Sequence, residues 1–400
     1  MNAGAVTIRS RARSLSRCIV LVAAGVLAAC GGGGSGEAPA APAGPSAPNA
    51  LAITVDRGLD GAALNSPFVS VTVCMPGTAT CHTVDHVLVD TGSFGLRLMA
   101  SAVAPALSLP PVTHTGTPVA ECAHFATGFV WGSVRRADVK LGGETAASLP
   151  VQIIGDTAAP YAAVPAACSN TGANFGADLG VNGLLGIGVF NEDCPACASS
   201  PAPAVYFACG TGCFATSLPL ASQVANPVGA FAVNNNGVAI VLPAVPPGGA
   251  ATLSGSLIFG IGTQSNNQLG SATVYATNRL GNFTTTYKGV AYSSSFLDSG
   301  SNGIFFTDPD IAQCSGFFCP PMPLALSAVN TSATGVSATV DFTIESIQTI
   351  SRGVAAAHVG GEIGLPNTFD WGLPFFYGRT VFVAISGAPT PQGLGPYWAY

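Results

Sequence analysis

Along most of this 400-residue chain apolar and polar positions alternate with a period of two, and runs with helical spacing are scarce. That period sends successive side chains to opposite faces of an extended strand. It predicts strands over residues 51–55, 68–73, 84–89, 134–141, 151–154, 237–242, 256–260 and 381–385. Clusters of Gly, Pro and Asn separate the runs, and Asn234-Asn235-Asn236-Gly237 is a strong turn signal. Residues 168–225 read as loop, with Gly183-Leu184-Leu185-Gly186-Ile187-Gly188 as their one ordered-looking piece. The pattern predicts an all-β protein built from many short strands.

Composition sharpens this. Charged residues make up only 8% of the chain, while Gly (50) and Pro (30) are abundant; a globular domain usually carries about 25% charged residues. The surface must therefore be covered by Ser, Thr, Asn and Gly. A formal net charge of −6 with no basic cluster argues against nucleic acid as a partner.

The N-terminus reads as an export signal. Arg9, Arg11, Arg13 and Arg17 precede a short apolar stretch over residues 18–29, too short to span a bilayer, which takes about 20 apolar residues. It ends in Leu27-Ala28-Ala29-Cys30, which resembles a bacterial lipobox and implies cleavage before Cys30 and acylation of its thiol; cleavage near Ala29 as an ordinary signal peptide is the alternative. Residues 31–34 are all Gly, and the Ala/Pro/Ser-rich run that follows has the composition of a spacer. With no acidic residue directly after Cys30, delivery to the outer membrane is expected. The membrane would be met through this lipid anchor alone, with the protein facing the periplasm or the cell surface.

Ten cysteines remain beyond Cys18 and Cys30: Cys74, Cys81, Cys122, Cys168, Cys194, Cys197, Cys209, Cys213, Cys314 and Cys319. An even number in an oxidising compartment reads as up to five disulfides, with Cys74–Cys81 and Cys314–Cys319 as local staples. The group Cys194, Cys197, Cys209 and Cys213 could also be a zinc knuckle or redox motif, but its spacing is loose and no helix-forming segment follows Cys197.

One phrase occurs twice, about half the chain apart. Val89-Asp90-Thr91-Gly92-Ser93-Phe94-Gly95-Leu96 and Leu297-Asp298-Ser299-Gly300-Ser301-Asn302-Gly303-Ile304 both read apolar, Asp, hydroxyl, Gly, Ser, any residue, Gly, apolar. A duplicated unit would bring two aspartates to one axis. Two close carboxylates cannot both ionise cheaply, so they share one proton and can serve as an acid/base pair.

With these residues in view the chain resembles the pepsin-like aspartic peptidases over most of residues 51–400. Residues 84–98 match the strand and turn that carry the first aspartate. Phe125-Ala126-Thr127-Gly128-Phe129-Val130-Trp131-Gly132 resembles the flap, and residues 178–188 resemble the segment that threads beneath the first aspartate loop. Residues 255–260 resemble an early strand of the second lobe, and residues 371–382 its closing strands. The resemblance implies a bilobal pepsin-like acid protease fold, with two pseudo-two-fold-related, β-barrel-like lobes and a central cleft. The expected organisation is a signal peptide at 1–29, acylated Cys30 and linker at 30–50, an N-lobe at 51–230 and a C-lobe at 231–400.

The resemblance also implies roles. Asp90 and Asp298 would be catalytic; Thr91 and Ser299 would cross-link the loops, Gly92 and Gly300 would admit backbone N–H groups, and Ser93 and Ser301 would orient the carboxylates. Phe125, Thr127 and Gly128 of the flap, with Leu96, Phe129 and Ile304, would line the cleft. The substrate would be an extended polypeptide, cleaved without metal or cofactor, and a monomer is expected. Three positions depart from the family. Phe125 stands where a Tyr is usual, leaving Trp131 and Tyr161 as candidates to replace its hydroxyl; Arg97 stands where a Trp often supports the flap; and Asp370-Trp371-Gly372 puts an acid near the second loop. Residues 31–50 lack the basic residues of a family pro-segment.

Competing readings are a non-catalytic surface module that binds a protein or glycan, and a β-sandwich adhesin in which the repeat is coincidental. His82 and His86 have strand spacing that puts both on one face, but too few partners for a metal site. Glu121, Asp138, Glu362 and Asp370 have no linkage that would make a glycosidase pair. Trp371, Phe375 and Phe376 are expected in the core.

Overall fold

In a computed structural model the structure describes residues 47–400, apart from 104–105, 127 and 177–178. The expected leader, Cys30, most of the linker, Thr127 and Asp178 lie outside the described residues. All the rest belongs to one compact unit.

The molecule is all-β, as the alternation predicts; its described α-helices are two four-residue turns, Ala100–Val103 and Ala166–Ser169. Each of the eight alternating runs falls within or largely within a strand. Strand Pro67–Cys74 illustrates why. Val71 and Val73 face the core at 0% exposure, and Val71 sits opposite Val84 of strand Cys81–Asp90. On the outer face Thr72 and Thr83 join their hydroxyls at 2.7 Å.

The two halves are built alike around their Asp phrases. In the first, strand Cys81–Asp90 turns into Phe94–Met99, and strand Gly183–Ile187 inserts between them, parallel to one and antiparallel to the other. In the second, Val290–Asp298 turns into Ile304–Phe305, and Thr368–Gly372 inserts in the same way. The register repeats too: Gly186 lies opposite Asp90 and Gly372 opposite Asp298, while Leu185 faces Leu96 and Trp371 faces Ile304. Such a duplication is what the pepsin-like resemblance implies.

A six-strand antiparallel sheet runs in the order Val274–Ala276, Tyr397–Ala399, Arg379–Ala384, Gly237–Leu242, Leu253–Phe259, Ala50–Val55. The first strand of the described chain thus closes a sheet made otherwise from the second half, and also pairs with Pro67–Cys74. Beneath the second Asp loop lies an aromatic cluster in which Phe306 stacks on Phe369 at 4.8 Å and Phe369 meets Trp371 at 4.5 Å. Trp371, Phe375 and Phe376 are all buried there, and Trp371 donates its indole N–H to Thr285 Oγ1 at 3.0 Å.

Two stretches differ from expectation. The span 168–225 is not simply loop: Tyr206–Cys209 pairs with Thr117–Phe125 as a further strand, and Cys213–Ala215 folds back on it. The second half also contains a Ser/Thr-rich sheet formed by Phe283–Tyr287, Val290–Asp298, Leu324–Thr331 and Ser337–Ile344 that the apolar runs did not mark.

Candidate active site

Each Asp phrase begins at the end of a half-buried strand, and its hydroxyl residue enters the core. Thr91 and Ser299 are 2% and 0% exposed and bond across the interface of the two loops. Thr91 Oγ1 accepts from the Ser299 N–H at 2.9 Å and donates to the Leu297 carbonyl at 2.9 Å. Reciprocally, Ser299 Oγ accepts from the Thr91 N–H at 3.2 Å and donates to the Val89 carbonyl at 2.7 Å. Both hydroxyls are satisfied, and removing either would strand a buried backbone group at about 1–3 kcal/mol.

Above this cross-link the two carboxyls are held by matching sets of donors. Asp90 Oδ1 accepts from the Gly92 N–H, and Asp298 Oδ1 from the Gly300 N–H, each at 2.8 Å. Ser93 donates to Asp90 Oδ2 at 2.5 Å and Ser301 to Asp298 Oδ2 at 2.8 Å. The loops also face each other closely. A Cβ on Gly92 would lie 2.7 Å from Asp298 Cγ, and one on Gly300 would lie 2.7 Å from Asp90 Oδ1. Glycine is required at both places because the opposite carboxylate occupies the space. Asp90 is 7% exposed and Asp298 half-buried, with Gly92 open to solvent beside them.

Burial, then the charge of Asp90 and a hydrogen bond with it, push Asp298 up to about 8. A third acid stands alongside: Asp370 Oδ2 lies 2.6 Å from Ser301 Oγ. Burial, and next the Asp298 charge, raise Asp370 well above the carboxylate range. The sequence pointed to an acid near this loop; its sharing of Ser301 was not visible, because strand register decides it.

The expected flap is a hairpin, with Thr117–Phe125 paired to Gly128–Leu141 and Phe125 opposite Gly128 at the tip. Gly128 is buried. Phe125 is half-buried, packing edge-on against Phe175 at 5.4 Å with the Arg97 guanidinium 5.9 Å from its ring centre. Arg97, 1% exposed, bonds Glu121 at 2.7 Å, Asp193 at 2.8 Å and the Phe94 carbonyl at 2.7 Å. Burial opposes its charge, but the two acids more than offset that. Burial raises Glu121 strongly against the pull of Arg97. Tyr206 joins the cluster by donating to Asp193 at 3.1 Å. Asp193 and Tyr206 were not foreseen, since nothing in the spacing of the disulfide-rich stretch singles them out.

Three expected cleft residues are corrected. Leu96 (0% exposed), Ile304 (1%) and Phe129 (2%) lie in the core. Leu96 and Ile304 sit one strand below the loops, facing Leu185 and Trp371, while Phe129 packs with Trp131 and Phe207. Trp131 donates its indole N–H to the Tyr161 carbonyl at 2.8 Å, so those two side chains are buried together.

All ten cysteines pair, as Cys74–Cys81, Cys122–Cys168, Cys194–Cys197, Cys209–Cys213 and Cys314–Cys319. With its thiols oxidised the 194–213 group has no zinc ligands, and the disulfides point to an exported, non-cytoplasmic protein. Among the described residues no group of three or more His, Cys, Asp or Glu could hold a metal. His86 lies between Asp56 and Asp85 at 3.4 and 3.3 Å. Glu121 is taken up by Arg97, and Asp138 accepts from the Gly77 and Ser148 N–H groups.

The chain belongs to the family described as "Protein of unknown function (DUF3443)", whose family model matches residues 45–400. No curated protein matches it in sequence. Among solved structures it is similar to an aspartic proteinase from Irpex lacteus, at a TM-score of 0.49 and 16% identity over 88% of this chain and 96% of that one.

Proposed function

We propose that this protein is an aspartic endopeptidase in which Asp90 and Asp298 share one proton. The observation that carries the reading is the mutual approach of two equivalently held carboxyls, each packed against the other loop's glycine. The ionised member takes a proton from a water lying between them as that water attacks the scissile carbonyl. The protonated member donates to the carbonyl oxygen, and the proton passes on to the leaving amine as the intermediate collapses. Phe125, on the hairpin tip, closes over an extended polypeptide by apolar contact. With Asp298 raised to about 8, the pair keeps its single proton into the neutral range, so cleavage extends to near-neutral pH. The enzyme works as a monomer, exported and anchored to the outer membrane through Cys30.

A statine-type peptide, which places a hydroxyl where the attacking water would add, tests this. Calorimetry is expected to show binding to the wild type and its loss in Asp90→Asn and Asp298→Asn. Equal binding by all three proteins would contradict the assignment, and would favour the non-catalytic binding module.

A further inference from the structure

The two Asp loops match in every donor to their carboxyls and differ in one neighbour. Ser93 has a single carboxyl partner, Asp90, whereas Ser301 Oγ stands between two, 2.8 Å from Asp298 Oδ2 and 2.6 Å from Asp370 Oδ2. In the duplicated register the place of Asp370 is held in the first half by Leu184, opposite Arg97 as Asp370 is opposite Phe305. The second half has therefore gained an acid that the first lacks.

A serine hydroxyl has one proton and cannot donate to two carboxylates at once. One of the two acids must itself be the donor. Asp298 Oδ1 already accepts from the Gly300 N–H, and the carboxyl takes part in the shared proton with Asp90. Asp370 is 5% exposed, and its Oδ1 has no donor among the described residues. The ionisable groups acting on it are Asp298 and, more weakly, Asp90, both acids. On the strands packed against it, Tyr292 is engaged with the Thr307 carbonyl, and the strand Ile304–Phe305 contributes no charge. A buried carboxyl with the fewer donors and only acidic neighbours is the one that stays neutral.

We propose that Asp370 is a protonated positioning residue that donates through Oδ2 to Ser301 Oγ and thereby commits the Ser301 proton to Asp298. The site then holds two protons among three carboxyls: one on Asp370, one shared by Asp90 and Asp298. When Asp370 ionises at high pH it draws the Ser301 proton to itself and adds a negative charge beside the pair. The consequence for turnover rests on the peptidase reading; the protonation state does not.

Infrared spectroscopy of the full chain at neutral pH measures the carbonyl band of protonated carboxyls independently of turnover. Both Asp370→Asn and Asp370→Leu, the latter reproducing the Leu184 side, are expected to lose one carboxyl equivalent of that band. Ser301→Ala is expected to shift its frequency without removing it. Two Asp370 variants with the full wild-type band would overturn the proposal. A wild type that shows the Asp370 band yet cleaves no substrate would uphold it and count against the peptidase reading.

Discussion

Gly300 has no side chain because Asp90 stands where one would go. A methyl there would be forced to 2.7 Å from Asp90 Oδ1 and 3.1 Å from Asp298 Oδ1, so it must push the carboxyls apart. Gly300→Ala is predicted to lower kcat/KM on the order of 100-fold, the effect of roughly 1 Å of misplacement at a reacting centre. Circular dichroism should show the fold retained. Full activity in that variant would mean that the opposed loops are not the reacting centre. At this scale the sequence was most informative. Asp90, Asp298 and their Thr, Ser and Gly neighbours stand out because a whole phrase is repeated, and the structure brings them together. Leu96, Phe129 and Ile304 were misplaced for a simple reason: residue type marks a side chain as apolar but does not say whether it faces core or cleft.

Among the elements, the hairpin of Thr117–Phe125 with Gly128–Leu141 rests on an ionic cluster. Arg97, Glu121 and Asp193 are bound together beneath Phe125. Removing one partner of a buried pair leaves the other's charge uncompensated, at about 3–5 kcal/mol. Arg97→Met is predicted to lose stability of about that size in urea denaturation, and Glu121→Gln added to it to recover part of the loss. No recovery would mean that the cluster acts by packing rather than charge. Strands with alternating Val, Leu and Ile were legible because one face is buried. The hairpin Leu324–Thr331 with Ser337–Ile344 was not: much of its length is exposed, so Ser, Thr and Asn dilute the apolar rhythm. Tyr206–Cys209 is too short to show any period, and only its pairing with Thr117–Phe125 makes it a strand.

For the whole molecule, the site's carboxyls set the dependence of stability on pH. An aspartate unfolds to a value of about 3.9, while burial and Asp90 hold Asp298 at about 8. Between these values the folded state binds more protons, so stability falls as pH rises through that window and levels off above it. Asp370 acts in the same direction. Asp156 and Asp308 oppose it. Burial raises them, but hydrogen bonds from Ser133 and Arg135, and from Tyr287 and Lys288, bring both below the usual range. Their contribution is present above the ordinary carboxylate value and lost in acid. The Tm is thus predicted to be highest in mild acid and to fall from about pH 5 to about pH 8, with a flatter fall in Asp298→Asn. A Tm that rises across that range would contradict the shared-proton site. The disulfide complement and the duplicated plan were readable at this scale from cysteine count and repeat. The docking of strand Ala50–Val55 on the second half was not, since it depends on a pairing some 200 residues distant.

The most direct measurement is cleavage of an unfolded protein substrate from acid to neutral pH, with wild type beside Asp90→Asn and Asp298→Asn. Cleavage by the wild type that persists to near-neutral pH and disappears in both variants is the predicted result. Cleavage that survives in either variant, or none by folded wild type at any pH, would contradict a peptidase built on this pair.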